Sequence, residues 1–244
     1  MKMIKSAIQY IIELNQKRVE KIGEKNFYFQ NGKPYLVDEC RKCEPVQLST
    51  LTSLVDYIKE NMDKFLYDSG KLIIHVVSET EVRMISQFNN DIQRWEVVNV
   101  KARVPKIMLN EFVEQERFII QMQSMFLDAG DKAIVLQVAG NVEDKTVAKY
   151  GDDGVSQKAT IKTGLANVED VLVPNPVKLQ PFRTFHEVGQ PEIDFVFRMK
   201  NASGGVACAL FEADGGMWKF QAVHEIADYL KEQLKDMDNV VVLS

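Results

Sequence analysis

Along residues 173–220 apolar and polar side chains alternate more regularly than anywhere else in the chain. Ile193, Phe195, Phe197 and Met199 fall on one face and Asp194 and Arg198 on the other, the period-two pattern of a half-buried strand. Residues 201–205, ending in Gly204 and Gly205, supply a turn able to take positive φ, and 206–211 return as a second strand. A second turn at 213–216 leads into 217–220 as a third, so the stretch predicts an antiparallel meander. The segment 182–188 reads as a further short strand.

Helical spacing takes over in four places. Ile4, Ala7, Ile8, Ile11, Ile12, Leu14, Val19 and Ile22 predict an amphipathic helix over 3–22, ended by Gly23. Over 49–66, Leu51, Leu54, Val55, Ile58, Met62, Phe65 and Leu66 recur at helical spacing behind Ser49 or Thr50 as a cap. Over 110–127, Asn110 is the expected cap, Glu111 and Glu114 suit the positive end of the dipole, and Phe112/Val113, Ile119/Ile120 and Phe126/Leu127 return on one stripe that Met122 and Met125 widen. Val223, Ile226, Ala227, Leu230 and Leu234 mark a last helix over 222–235. Strands are expected as a hairpin over 27–37 about Asn31 and Gly32, at 72–77, 82–88, 95–104 and 133–138, as a hairpin over 146–163 about 151–154, and at 240–243. The prediction is an α+β fold: a mainly antiparallel sheet packed against two or three amphipathic helices, with an N-terminal helix and hairpin region over 1–45 and a core domain over 46–244.

Composition narrows the functional classes. A formal charge of -5 is a poor match to non-specific coating of duplex nucleic acid, which needs a surplus of cations facing phosphates. The opening segment runs the other way: Lys2, Lys5, Lys17, Arg18, Lys21, Lys25 and Lys33 outnumber Glu13, Glu20 and Glu24. Three cysteines, Cys40, Cys43 and Cys208, make no disulfide framework for 244 residues and point to a reducing cytosol. The apolar cluster Ile8, Tyr10, Ile11 and Ile12 is interrupted by Gln9, Glu13 and Asn15 before it reaches the length of a membrane span.

Candidate chemistry is sparse, and each candidate has a plainer explanation. Lys17, Arg18, Lys21 and Lys25 form a basic face, and Phe27 and Tyr28 are aromatics of the kind that stack bases in single-strand binders; a solvated face and a packed small sheet explain them as well. Arg183 and His186 bring a cation and an imidazole together beside aromatics, where they could hold an anion; an arginine paired with Glu187 or Glu192 on a strand face is the simpler account. Cys40 and Cys43 have the spacing of half a zinc knuckle, but His75, His186, His224 and Cys208 are scattered singly, and a lone histidine in an apolar strand such as His75 is normally a core residue. Asp131, a strand, then Glu143, Asp144 and Lys145 echo the acid, acid-x-lysine pattern of magnesium nucleases, although that chemistry displays its acid and lysine from the strand itself. Two carboxylates in 151–154 are what a tight turn also demands. No phosphate-cradling loop, GxSxG or HExxH occurs, and nothing calls for a cofactor.

Residues 49–58, the strand pair 75–86, 116–126, 152–162, 173–177 and 182–188 together resemble an uncharacterised family of phage and prophage proteins, the YfdQ-like family. The resemblance spans most of the chain from residue 49 onward and leaves out Cys40 and Cys43. It implies a phage or prophage protein made in the bacterial cytoplasm, and it carries no catalytic residues to transfer. The expectation is a non-catalytic protein acting by binding or self-assembly, as a homo-oligomer or with a phage or host protein, away from membranes. Alternatives are an accessory single-strand DNA-binding protein of phage recombination or replication, a shell-forming or anti-defence decoy, and a magnesium-dependent nuclease.

Overall fold

The computed structural model describes residues 5–8, 10, 19–23, 25–30, 33–37, 44–60, 62–63, 70–88, 94–141, 157–163, 167–202 and 205–244. The chain divides into two compact units, Met1–Cys43 and Glu44–Ser244. The architecture is α+β.

In the first unit, β1 (Val19–Ile22), β2 (Lys25–Gln30) and β3 (Lys33–Leu36) form an antiparallel sheet in that order. The hairpin expected about residues 31–32 is β2–β3, and Pro34 sits on the edge strand β3, where its missing N–H breaks no ladder. The helix expected over 3–22 is corrected: residues 5–8 and Tyr10 are helical, but Val19–Ile22 is a strand. Its backbone pairs with β2 from Val19↔Tyr28 to Ile22↔Lys25. Cross-strand hydrogen bonding at two β-branched residues, Val19 and Ile22, overrides their helical spacing.

The second unit is built on two larger sheets. One is five-stranded, in the order β14-β5-β6-β7-β4, from β4 (Val46–Leu48), β5 (Leu72–Ser78), β6 (Glu81–Ile85), β7 (Glu96–Lys101) and β14 (Val240–Leu243). Its centre is antiparallel, while β14 and β4 add to the edges in parallel. The expected closing strand at 240–243 is therefore present. The other sheet, in the order β11-β12-β13-β8, is antiparallel and contains β8 (Val113–Glu114), β11 (Val177–Leu179), β12 (Ile193–Ala202) and β13 (Gly205–Glu212). β12 buries Ile193, Phe195, Phe197 and Met199 as its alternation requires. A separate antiparallel pair joins β9 (Gln157–Thr163) to β10 (Asn167–Val173), the strand that follows it in sequence. Residues 142–156, with the turn expected at 151–154, lie outside the described residues.

Among the described residues four helices pack on the sheets of the second unit. α1 (Leu51–Lys59) has Thr50 as its cap: the Thr50 backbone is extended and its hydroxyl accepts the Ser53 N–H at 3.2 Å, an arrangement typically contributing about 1 kcal/mol. Its stripe of Leu51, Leu54, Val55 and Ile58 is fully buried. α2 (Gln115–Met125) starts later than expected. Asn110 does not cap it; it sits at φ 62, a region an asparagine tolerates, and pairs with β13 through its N–H to the Leu210 carbonyl and its Oδ1 from the Glu212 N–H. The two residues ahead of the helix, Val113 and Glu114, are strand β8.

Two expected strands are helices. Residues 133–138 belong to α3 (Lys132–Asn141), which buries Lys132, Val135, Val138 and Ala139, one face at three- and four-residue spacing. A short continuous apolar run has no period to separate a buried strand from a buried helix, and here the turn before it decides. The Asp131 N–H binds the Lys178 carbonyl, the Asp131 carboxylate accepts the Lys178 N–H, and the Lys132 ammonium reaches the Phe126 carbonyl at 2.8 Å, meeting the unsatisfied end of α2. Residues 217–220 open α4 (Met217–Gln233), because the Asp214 carboxylate accepts the Gly216 and Trp218 N–H groups and nucleates the first turn. The meander therefore has two long strands, β12 and β13, followed by a helix.

Two apolar cores result. The first packs α2, α3, Trp218 and Ala222 against the four-stranded sheet; the second packs α1, Phe185, Ile226, Ala227, Leu230 and Leu234 against the five-stranded one. α4 thus serves both along a single stripe.

Gly130 has φ +58, and a Cβ there would run into the Lys178 backbone carbonyl, whereas Gly215, at φ +64, faces open space. Gly130→Ala is therefore expected to lower unfolding stability by more than Gly215→Ala, whose loss is roughly 1 kcal/mol of backbone strain; equal urea midpoints for the two variants would contradict the close approach. Cys208 is fully buried, and burial pushes its thiol up to about 12. The folded chain then keeps a proton that the unfolded chain loses, so stability is untouched by this group below the ordinary thiol range and falls above it, by at most about 1.4 kcal/mol per pH unit. Mass spectrometry of the Cys208 peptide after iodoacetamide treatment at mildly alkaline pH is expected to show alkylation in urea and none in the folded protein.

Candidate functional site

The segment between β11 and β12 crosses from one core to the other, and it holds the most concentrated polar chemistry of the described residues. Pro181 bridges Phe126, the Phe182 N–H binds the Met125 carbonyl, and Phe185 enters the second core. Between them, the Thr184 hydroxyl donates to the Glu79 carbonyl at 2.6 Å. Gln190 fastens the bend from within, its Oε1 accepting the Arg183 and Thr184 N–H groups and its amide donating to the Phe185 carbonyl. Glu187 accepts both the N–H and the hydroxyl of Thr52, placing a carboxylate at the positive end of α1. The short strand expected over 182–188 is therefore a braced loop: the Gln190 side chain, instead of a neighbouring strand, satisfies the backbone of Arg183, Thr184 and Phe185.

Arg183 is buried at the centre of this loop. Its Nη1 meets the Glu212 carboxylate at 2.6 Å, and the guanidinium carbon lies 3.6 Å from the centre of the Trp218 ring, in cation–π contact. Nε and Nη2 have no hydrogen-bond partner among the described residues. Burial lowers the guanidinium's hold on its proton; the carboxylates of Glu212, Asp214 and Glu79 act in the opposite sense, and an arginine keeps its charge at neutral pH. The expected pairing with Glu187 or Glu192 on a strand face is corrected to Glu212 on β13, because the loop turns Arg183 inward under α4. His186 is exposed, with its ring 5.9 Å from that of Phe182. Arg183 is thus closed within the fold while His186 stands at the surface, and three carboxylates act on the buried cation.

On the other side of Trp218 opens a groove of about 360 Å³, lined by residues of β11, β12 and α4 and the turns beside them. Its wall carries the carboxylates of Glu192, Asp194 and Asp214, with Lys178 as the single cation. Met217, Phe220 and His224 also line it, at i, i+3 and i+7 on one face of α4, and Met217 and Phe220 are each 65% exposed. The His224 Nδ1 donates to the Phe220 carbonyl at 2.7 Å, which leaves Nε2 as the acceptor of the neutral ring. The indole N–H of Trp218 is buried and has no hydrogen-bond partner among the described residues. Reading 217–220 as a strand hid this face; extending the helical period of 222–235 back to Trp218 would have revealed it.

The remaining candidates separate. Lys21 is exposed on β1, Lys25 opens β2, and Phe27 is half-buried. Tyr28 lies opposite Tyr35 and stacks on it with ring centres 5.0 Å apart, so one face of each ring is already covered. Lys17, Arg18, Cys40 and Cys43 lie outside the described residues, as do Glu143, Asp144 and Lys145. The spacer after Asp131 is helix α3, not a strand, and the Asp131 carboxylate is held by the Lys178 N–H. His75 is exposed on β5 rather than in the core, since the buried positions of that strand are Leu72, Ile74 and Val76. Among the described residues no group of three or more His, Cys, Asp or Glu is placed to hold a metal ion, and no helix is long and apolar enough to cross a membrane.

Fold and site together define an α+β protein with a surface groove of mixed apolar and acidic character. Compared with protein-family models, with curated proteins and with solved structures, the chain matches none.

Removing Glu212 strands a buried cation, whereas removing Arg183 leaves a carboxylate that water reaches, since the Glu212 side chain is 29% exposed. Glu212→Gln is expected to destabilise the second unit by about 2–3 kcal/mol and Arg183→Met by less, because methionine keeps apolar contact with Trp218. Urea unfolding of both variants and the double variant checks this; an equal or larger loss for Arg183→Met would contradict it.

Proposed function

We propose that the protein is a phage-encoded, non-catalytic binding protein that receives a partner at the α4 groove. The phage assignment rests on the resemblance carried by residues 49–58, 75–86, 116–126, 152–162, 173–177 and 182–188. The observation supporting the groove is the exposed pair Met217 and Phe220, one turn apart on α4, beside a concavity of about 360 Å³. The two side chains are neighbours on one exposed face, and a contiguous apolar patch rimmed by polar groups is the usual mark of an interaction surface. The buried polar groups nearby have structural work, as Arg183, Thr184 and Gln190 brace the loop beneath.

The test is replacement of both exposed side chains, Met217→Ser with Phe220→Ser. Both face solvent, so circular dichroism and the melting temperature are expected to stay within a few degrees of wild type. Multi-angle light scattering, with the chain alone and after addition of lysate from infected cells, is expected to show an assembly that the wild type forms and the double variant does not. Identical assembly by both proteins would end the assignment of binding to this face.

A further inference from the structure

We infer that the α4 groove takes a cationic peptide segment, one in which a lysine or arginine lies next to an apolar residue; this deepens the binding reading above and rests on it. Two features of the groove select that chemistry. The first is charge. Glu192, Asp194 and Asp214 face the groove against a single cation, Lys178, whose ammonium is 3.4 Å from the Asp194 Oδ1. Asp214 accepts the Gly216 and Trp218 N–H groups and so cancels the positive end of α4, which would otherwise repel a cation. Glu192 is exposed and has no ion-pair or hydrogen-bond partner among the described residues, and Asp194 Oδ1 has no hydrogen bond. Asp194 is thus paired with Lys178 and Asp214 with the first turn of α4, while Glu192 is the carboxylate of the groove that the fold leaves unmatched, and the lining as a whole carries more negative than positive charge.

The second feature is apolar surface in reach of that charge. Met217 and Phe220 stand together at 65% exposure and line the same concavity as the three carboxylates. A lysine or arginine stem lies well along such a surface with its head in the acidic rim, and a flanking apolar side chain covers what remains. The thioether of Met217 adapts to more than one shape. Cation and apolar side chain occur together in a peptide. A nucleic acid would set phosphates against the carboxylates, and a polyamine supplies no apolar side chain.

The full chain is titrated, by fluorescence anisotropy, against a fluorescein-labelled decapeptide alternating lysine with leucine and phenylalanine. Two matched peptides accompany it, one with glutamate in place of lysine and one with serine in place of the apolar residues, and spermine serves as competitor. The lysine–apolar peptide is expected to bind, with affinity falling at least fivefold between 50 and 500 mM salt; the other two peptides are expected to bind at least tenfold more weakly, and spermine to compete poorly. Glu192→Gln with Asp194→Asn is expected to weaken binding about tenfold, with an unchanged circular dichroism spectrum; if Asp194→Asn disturbs β12, Glu192→Gln alone carries the test with a smaller loss. Equal binding of the glutamate peptide, spermine competing as well as peptide, no effect of the carboxylate variants, or no binding by the wild type would each overturn the inference. Glutamate or neutral peptides that bind the wild type but not the Met217→Ser, Phe220→Ser variant would sink the cationic specificity while leaving the binding face standing.

Discussion

The second unit depends on one constraint: the apolar stripe of α4 must satisfy two sheets at once. Trp218 and Ala222 complete the core of the four-stranded sheet, and Ile226, Ala227, Leu230 and Leu234 complete that of the five-stranded sheet. Among the described helices, α1 reaches only the second core and α2 and α3 only the first, so α4 is the helix that contributes to both. At roughly 1.5–3 kcal/mol for each fully buried large apolar side chain, the stripe is comparable with the whole stability of a domain. The two cores are therefore expected to be coupled through α4, whose axis fixes what lies on either flank.

The crossover between β11 and β12 makes the same connection by polar means. A loop that passes between two cores buries backbone groups that no strand pairs, and Gln190 supplies partners for those of Arg183, Thr184 and Phe185, while the Thr184 hydroxyl and the Glu187 carboxylate tie the loop to the Glu79 carbonyl and the Thr52 N–H. Arg183 is the costly element, a buried cation held by one carboxylate and one indole ring. Its value lies in direction rather than in net energy, since a buried ion pair gains little over an apolar replacement. The pair fixes β13 against Trp218, and hence sets where the first turn of α4 emerges.

That emergence produces the groove. With Trp218 drawn inward against Arg183, helical geometry turns Met217, Phe220 and His224 outward on the flank facing β11 and β12, where Glu192 and Asp194 stand. The apolar and acidic parts of the groove are thus consequences of one orientation. The groove sits on a helix and two strands, which suits the proposed recognition of a short segment with little ordering of the receptor.

Local pattern settled a good part of this chain. The alternation of 193–199, the return of the chain as β13, the threonine cap of α1, the pairing of β2 with β3 and the late stripe of α4 were legible because each element's partner structure is dictated by its own spacing. The errors fell where spacing is ambiguous and a remote contact decides. Residues 133–138 are apolar throughout, and only the reciprocal bonds between Asp131 and Lys178, 47 positions away, set the helix. Asn110 left the role of cap because β13, a hundred residues later, offered its edge. The candidate site was less legible still. Arg183 stood out in the sequence, but its partners Glu212 and Trp218 are chosen by the packing of α4 across two sheets, and Met217 and Phe220 become a surface only once Trp218 is known to be buried. Period and capping are short-range quantities carried by the residues themselves; which side chains meet across the fold depends on how sheets and helices stack, and that is decided only when the whole chain has closed.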